Sequence, residues 1–206
     1  MSKALRTFQA YCQKEPLFCG VLLYVLLAFA PGLCGNLPLW LMCVVRYLLP
    51  AALAAVAAVA CFYVPAAALG ARGLQKSFLL SAPVVVFVMV NILAGAFSLK
   101  ESAVSAAFAG VCEEFLCRLM LYPAIRLHFQ GRKHGEEAAI LLSSLLFGIA
   151  HLSNLGGDAG IFAVLFQCCY TTLIGIVFAN GYRRSGCIWG SVVWHVLLNL
   201  SGTLFG

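Results

Sequence analysis

Seven stretches of this 206-residue chain are apolar for long enough to approach or complete a bilayer crossing: residues 16–34, 38–66, 78–98, 103–126, 138–153, 160–180 and 187–204. In lipid the backbone must satisfy its own hydrogen bonds, which leaves only helices and closed barrels. The runs are continuous, without the alternating segments of about ten residues that build a barrel, and they approach the roughly 20 residues a spanning helix needs. The sequence therefore predicts an all-α fold, a polytopic membrane helical bundle of about seven transmembrane helices. Charged residues are only 10% of the chain, against about 25% in soluble domains. No polar stretch between the runs is long enough to form a second core, so residues 1–206 read as a single integral membrane domain. The first run meets Pro31-Gly32 without a small-x-small cleavage site, and reads as a retained span rather than a signal peptide.

The net charge of +6 does not mark a nucleic-acid surface, because the basic residues are spread over short loops and form no stripe interleaved with aromatics. They sort by side instead. Lys3, Arg6, Lys14, Arg72, Lys76, Arg126, Arg132, Lys133, Arg183 and Arg184 fall on one side of the alternating spans, and Lys100 alone on the other. The rule that Lys and Arg mark cytoplasmic loops then puts the N-terminus in the cytoplasm and the C-terminus outside. The expected location is a bacterial plasma (inner) membrane. His128 and His134 belong to the basic loop side and read as surface residues, while Glu136 and Glu137 suit the first turn of the next helix. The ten cysteines lie mostly inside apolar runs with no CxxC pair. They read as packing thiols rather than a disulfide framework or zinc site. Gly186 and Gly190 form a small-xxx-small pair, expected to serve helix packing.

Against this background the run Glu113-Glu114-Phe115-Leu116-Cys117-Arg118 stands out. Each charge at mid-bilayer is unfavourable by roughly 2.5–3.5 kcal/mol, so three together require internal partners or a water-filled cavity. Helical residues four apart share a face, which pairs Glu114 with Arg118 and turns Glu113 about 100° away, toward a polar cavity. The same spacing joins Phe147 to His151 and His195 to Asn199. A carboxylate and a histidine that hold one water form a general-base pair. An imidazole with an amide can stabilise an oxyanion. This is the equipment of peptide hydrolysis. Glu113 lies roughly 15 Å from the outer end of its helix at 1.5 Å per residue, which sets the expected site in the outer half of the membrane. Asn154 reads as a turn residue before Gly156-Gly157.

Across Ala103 to Ser201 the chain resembles the CAAX protease and bacteriocin-processing (CPBP, or Abi) intramembrane proteases. The resemblance rests on EExxxR at Glu113, Glu114 and Arg118, FxxxH at Phe147 and His151, and HxxxN at His195 and Asn199, in the family's order. It implies a CPBP-like catalytic core over 103–201 and an intramembrane endopeptidase acting on the C-terminal tail or anchor of a membrane-associated protein. By motif, Glu113 is the base, His151 its partner, His195 and Asn199 the oxyanion site, and Glu114 with Arg118 the support. The expected mechanism is a glutamic one without cofactor. Zinc held by Glu113, His151 and His195 is the alternative, although no HExxH is present. The expected partners are a membrane-anchored protein or peptide substrate and the lipid bilayer. Arg46-Tyr47-Leu48-Leu49-Pro50 resembles the subgroup linked to bacterial C-terminal protein sorting, which implies cleavage of the anchors of exported proteins. Other intramembrane protease chemistries fit less well: Gly156-Gly157-Asp158 follows Leu155 rather than the pattern GxGD, and GxSxG is missing. The rivals outside peptide hydrolysis are a proton-coupled transporter and a non-catalytic scaffold or immunity protein built on the same polar cluster.

Overall fold

The computed structural model describes residues 3–30, 37–93, 102–156 and 160–201. Pro31-Gly32, Lys100, Gly157-Asp158 and the far ends of the expected spans 16–34, 78–98 and 187–204 lie outside the described residues. Among the described residues the regular elements are all helical, as long apolar runs without alternation require. Eight helices follow in chain order: α1 Lys3–Lys14, α2 Pro16–Phe29, α3 Leu39–Cys61, α4 Leu74–Leu93, α5 over 102–128, α6 Gly135–Ala150, α7 Ile161–Ser185 and α8 Trp189–Leu200. A 3₁₀ turn, His151–Gly156, prolongs α6.

Prolines punctuate these helices in two ways. Pro16 stands in the first turn of α2, where its missing N–H is no loss, and α2 leaves α1 with a bend of 112°. Pro50 and Pro123 instead lie inside α3 and α5, where a ring would meet the carbonyl four residues back. Each is preceded by a π-helical stretch that widens the helix there, Val44–Leu48 in α3 and Phe115–Leu121 in α5. The i→i+5 bonds are explicit, from Leu49 N–H to Val44 O and from Tyr122 N–H to Cys117 O.

Among the described residues four helices are long and apolar enough to cross a membrane: α3, α4, α6 with its extension to Leu155, and α7. The bent α1–α2 pair makes a fifth if it is one span. The sequence expects about seven, and the two it adds are α5, which carries Glu113, Glu114 and Arg118, and α8, which has 12 residues. The surface supports a lipid environment directly. Phe162, Leu93 and Trp40 are 84%, 81% and 69% exposed, while Glu114, Arg118, His195, Ser143, Ser144 and Ser191 are buried. A soluble protein has the reverse arrangement.

α5 is the central helix, surrounded by α2, α3, α6 and α8, while α4 packs between α7 and α8 and α7 runs along α6. α8 is short but firmly fixed. Trp189 Nε1 donates to Leu69 O at 2.7 Å and Trp194 Nε1 to Phe78 O at 2.9 Å. Gly190 makes room for this, since a β-carbon there would collide with the backbone of Ser77 and Phe78. Gly186 does something else: with φ +68 it terminates α7, its N–H donating to Tyr182 O, and a β-carbon there would meet no neighbouring group. The expected small-xxx-small pair is thus one packing contact and one cap. The described cysteines are free thiols, most of them buried.

Candidate active site

α5 and α8 run antiparallel, and each brings one polar face to the crossing. On α8 the face is Ser191, His195 and Asn199; on α5 it is Ala106, Gly110, Glu114 and Arg118, all at four-residue spacing. Asn199 Nδ2 donates to Ala106 O at 3.1 Å, and His195 Nδ1 lies 2.9 Å from Glu114 Oε1. Gly110 lies between these contacts. A β-carbon on it would stand 3.2 Å from Asn199 Nδ2 and 3.3 Å from Val196 N, so the absence of a side chain sets how closely the helices meet.

His195 is held at both ends. Its Nε2 lies 3.3 Å from Glu113 Oε2, opposite the bond to Glu114. Ionised carboxylates only accept, so an imidazole between two of them serves both as a doubly protonated ring. Glu114 Oε1 also lies 3.4 Å from Arg118 Nη2, with both side chains fully buried. Two carboxylates, one guanidinium and one imidazolium then sum to zero, which is how four ionisable groups can share a membrane interior. The adjacent glutamates differ in access: the side chain of Glu114 is 0% exposed and that of Glu113 35%.

Phe147 organises the other side. Arg118 lies 4.8 Å from its ring centroid, and Phe178 approaches the same guanidinium at 5.7 Å. The Phe147 ring also meets His151 edge-on at 5.1 Å and His195 at 5.7 Å. His151, where α6 tightens into its 3₁₀ turn, places Nδ1 3.0 Å from Phe147 O. A carbonyl only accepts, so Nδ1 carries the proton and Nε2 remains to accept from water or, when protonated, to donate.

Glu113, His151 and Asn199 all line one cavity of about 310 Å³, together with Asn154 and Gln167. Asn154 Nδ2 donates to Gln167 Oε1 at 2.9 Å, so it belongs to the cavity wall. A smaller cavity of about 40 Å³ shares Phe147, His151, Gln167 and Asn199 with it and reaches His195. The residues picked from sequence therefore meet, with the partners redistributed. The family resemblance pairs Glu113 with His151, whereas the structure puts His195 against Glu113 and leaves His151 facing the cavity. Sequence reasoning passed over Gly110, Gln167 and Tyr24, which also lines the cavity. Gly110 was within reach, lying one turn before Glu114 on the same face; Gln167 and Tyr24 carried no comparable pattern.

The donor set bears on the zinc alternative. Both nitrogens of His195 are committed to carboxylates, and no three His, Cys, Asp or Glu side chains among the described residues are grouped to hold a metal ion.

A family model described as Type II CAAX prenyl endopeptidase Rce1-like matches residues 85–201, from the middle of α4 to the end of α8. No curated protein and no solved structure matches the chain.

Proposed function

The chain belongs to the Type II CAAX prenyl endopeptidase Rce1-like family, a family of membrane proteases, and from that premise we propose that it is a glutamic intramembrane endopeptidase acting on C-terminal tails or anchors. The observation that carries this reading is the His195 bridge: it fixes two adjacent carboxylates, yet leaves only Glu113 open to the cavity. In the proposed reaction Glu113 takes a proton from a cavity water as the water oxygen attacks the scissile carbonyl carbon. The resulting oxyanion receives a hydrogen bond from the Asn199 amide in the cavity wall, where His151 stands beside it. Glu113 then passes its proton to the leaving nitrogen as the C–N bond breaks, giving a new carboxylic acid and a new amine. Glu114 and Arg118 touch no reacting atom; they hold His195, which holds Glu113.

The topology supports an outward-facing site. Ten of the thirteen Lys and Arg residues lie before α2 and around the α3–α4, α5–α6 and α7–α8 connections. The cavity is lined instead from the end of α2 (Leu27, Phe29), the start of α3 (Arg46), the end of α6 (His151) and the end of α8 (Asn199). With basic loops cytoplasmic, the cavity lies toward the exterior half of a plasma membrane. That favours anchors of exported proteins over cytoplasmic prenylated tails.

The test uses the full chain in detergent and in bilayers with a reporter protein bearing an apolar C-terminal tail, cleavage being read by mass spectrometry. Wild-type protein releases a tail fragment, with or without exhaustive chelation. Product formation by Glu113→Gln at the wild-type rate would remove Glu113 as the base, and loss of cleavage on chelation reversed by zinc would replace the metal-free mechanism.

A further inference from the structure

The family match begins at residue 85, but the cavity does not. One wall comes from α2 and α3, with Tyr24, Leu27, Phe29, Arg46 and Tyr47 facing the wall that carries Glu113. Among these lining residues Arg46 is the guanidinium and Glu113 the carboxylate. Arg46 lies within α3, a helix apolar and long enough to cross a membrane, where a cation is held by internal partners or by a polar cavity, and its side chain lines this one. The backbone marks the same place. π-helical turns are rare and concentrate at functional sites, and the described residues hold two: one contains Arg46 and Tyr47, and the other follows Glu113-Glu114 and contributes Leu116 and Cys117 to the same cavity.

We infer that Arg46 is the subsite for the substrate's C-terminal α-carboxylate, so that the enzyme measures its cleavage position from the chain end. This deepens the peptidase reading and rests on it. A carboxylate at the end of an apolar tail cannot enter a membrane cavity without a cation to meet it, and a guanidinium fork matches a carboxylate in shape and charge. A cavity of about 310 Å³ is at the small end for bound ligands. It suits a short peptide end whose last group reaches Arg46 while an upstream carbonyl reaches Glu113. Glu113 and Arg46 thus divide the work: one opens the bond and the other chooses it.

The test measures binding, so that it does not depend on turnover. Full-length Glu113→Gln protein in lipid nanodiscs is titrated with a fluorescent pentapeptide, Ala-Val-Leu-Ala-Leu, ending in a free carboxylate or in an amide. The carboxylate form binds about tenfold to a hundredfold tighter, as one charge-assisted pair predicts. Adding Arg46→Gln removes that preference and leaves the affinity for the amide form unchanged, while Arg46→Lys retains part of it. Equal affinity for the two forms, failure of both to bind, or a preference that survives Arg46→Gln overturns the inference. The comparison of acid with amide needs no change at Arg46, so it stands even if those variants misfold. Wild-type cleavage of a longer tail, measured alongside, separates the two levels. A carboxylate preference without cleavage keeps the subsite and removes the peptidase reading; cleavage without preference does the reverse.

Discussion

α5 carries two carboxylate–arginine clusters, one in its middle and one across its end. In the middle, Glu114 meets Arg118 and His195 with every side chain at most 4% exposed. At the end, Arg126 pairs with Glu136 of α6, which also accepts from Tyr122 Oη at 3.0 Å, and the pair is 60% and 34% exposed. The ingredients are alike: one arginine, one glutamate and one ring that hydrogen-bonds the glutamate. What differs is water. At the end of α5, solvent screens both charges and competes for each bond, so the pair orders a loop at little gain. In the middle nothing substitutes for a lost partner, and each group is held because the others would be stranded without it. The inner cluster can therefore hold Glu113 steadily at its cavity, which the outer one could not do for a neighbour.

The largest effect expected from breaking this contrast is on activity. Glu113→Gln keeps the shape of the side chain and its place beside His195 but cannot take a proton, and cleavage falls by about 10²- to 10⁴-fold. Thermal unfolding in detergent, followed alongside, stays near the wild-type midpoint, because the buried Glu114–Arg118 contact is untouched. Glu114→Ala acts on the frame instead. It leaves a buried guanidinium and one His195 nitrogen without their carboxylate, and is expected to cost about 3–5 kcal/mol of stability. A Glu114→Ala protein that melts like wild type would show that water already enters the inner cluster, and would dissolve the contrast.

These outcomes bear on what the sequence makes visible. Charged and polar groups inside apolar runs are conspicuous because lipid makes them costly, so Glu113, Glu114, Arg118, His151, His195 and Asn199 stand out in the sequence. The helical period then gives the faces, and the described part of each of the seven expected segments is largely helical. The pairing across helices was not legible. Glu113 and Glu114 differ by one residue and 100° of rotation, and only the antiparallel crossing of α5 on α8 decides that His195 sits between them. The π-helical stretches were equally hidden. Pro50 and Pro123 announce a disturbed helix, but a kink and a widened turn satisfy the same clash. α1 escaped notice because its apolar and basic residues alternate too closely for a hydropathy reading of spans.

Smaller effects sharpen the comparison through geometry. Gly110→Leu leaves every charge in place but pushes α8 away from α5, since even a β-carbon at Gly110 is at the limit of contact with Asn199 and Val196. Overpacking of this kind costs about 1–3 kcal/mol, and activity should fall further than stability because Glu113 loses the His195 contact that aims it. Equal losses in both would mean that the crossing distance matters to the fold alone. At the other end of α5, Glu136→Gln removes the exposed pair with Arg126 and is expected to cost at most about 1 kcal/mol, less at high salt. Its activity should match wild type, because Glu136 borders a separate cavity beside Arg126 and Arg132 rather than the one that holds Glu113. The decisive measurement is the pair of salt titrations. Added salt should erase the difference between Glu136→Gln and wild type, yet leave the Glu114→Ala deficit intact, since ions that screen a wet pair do not reach a dry one.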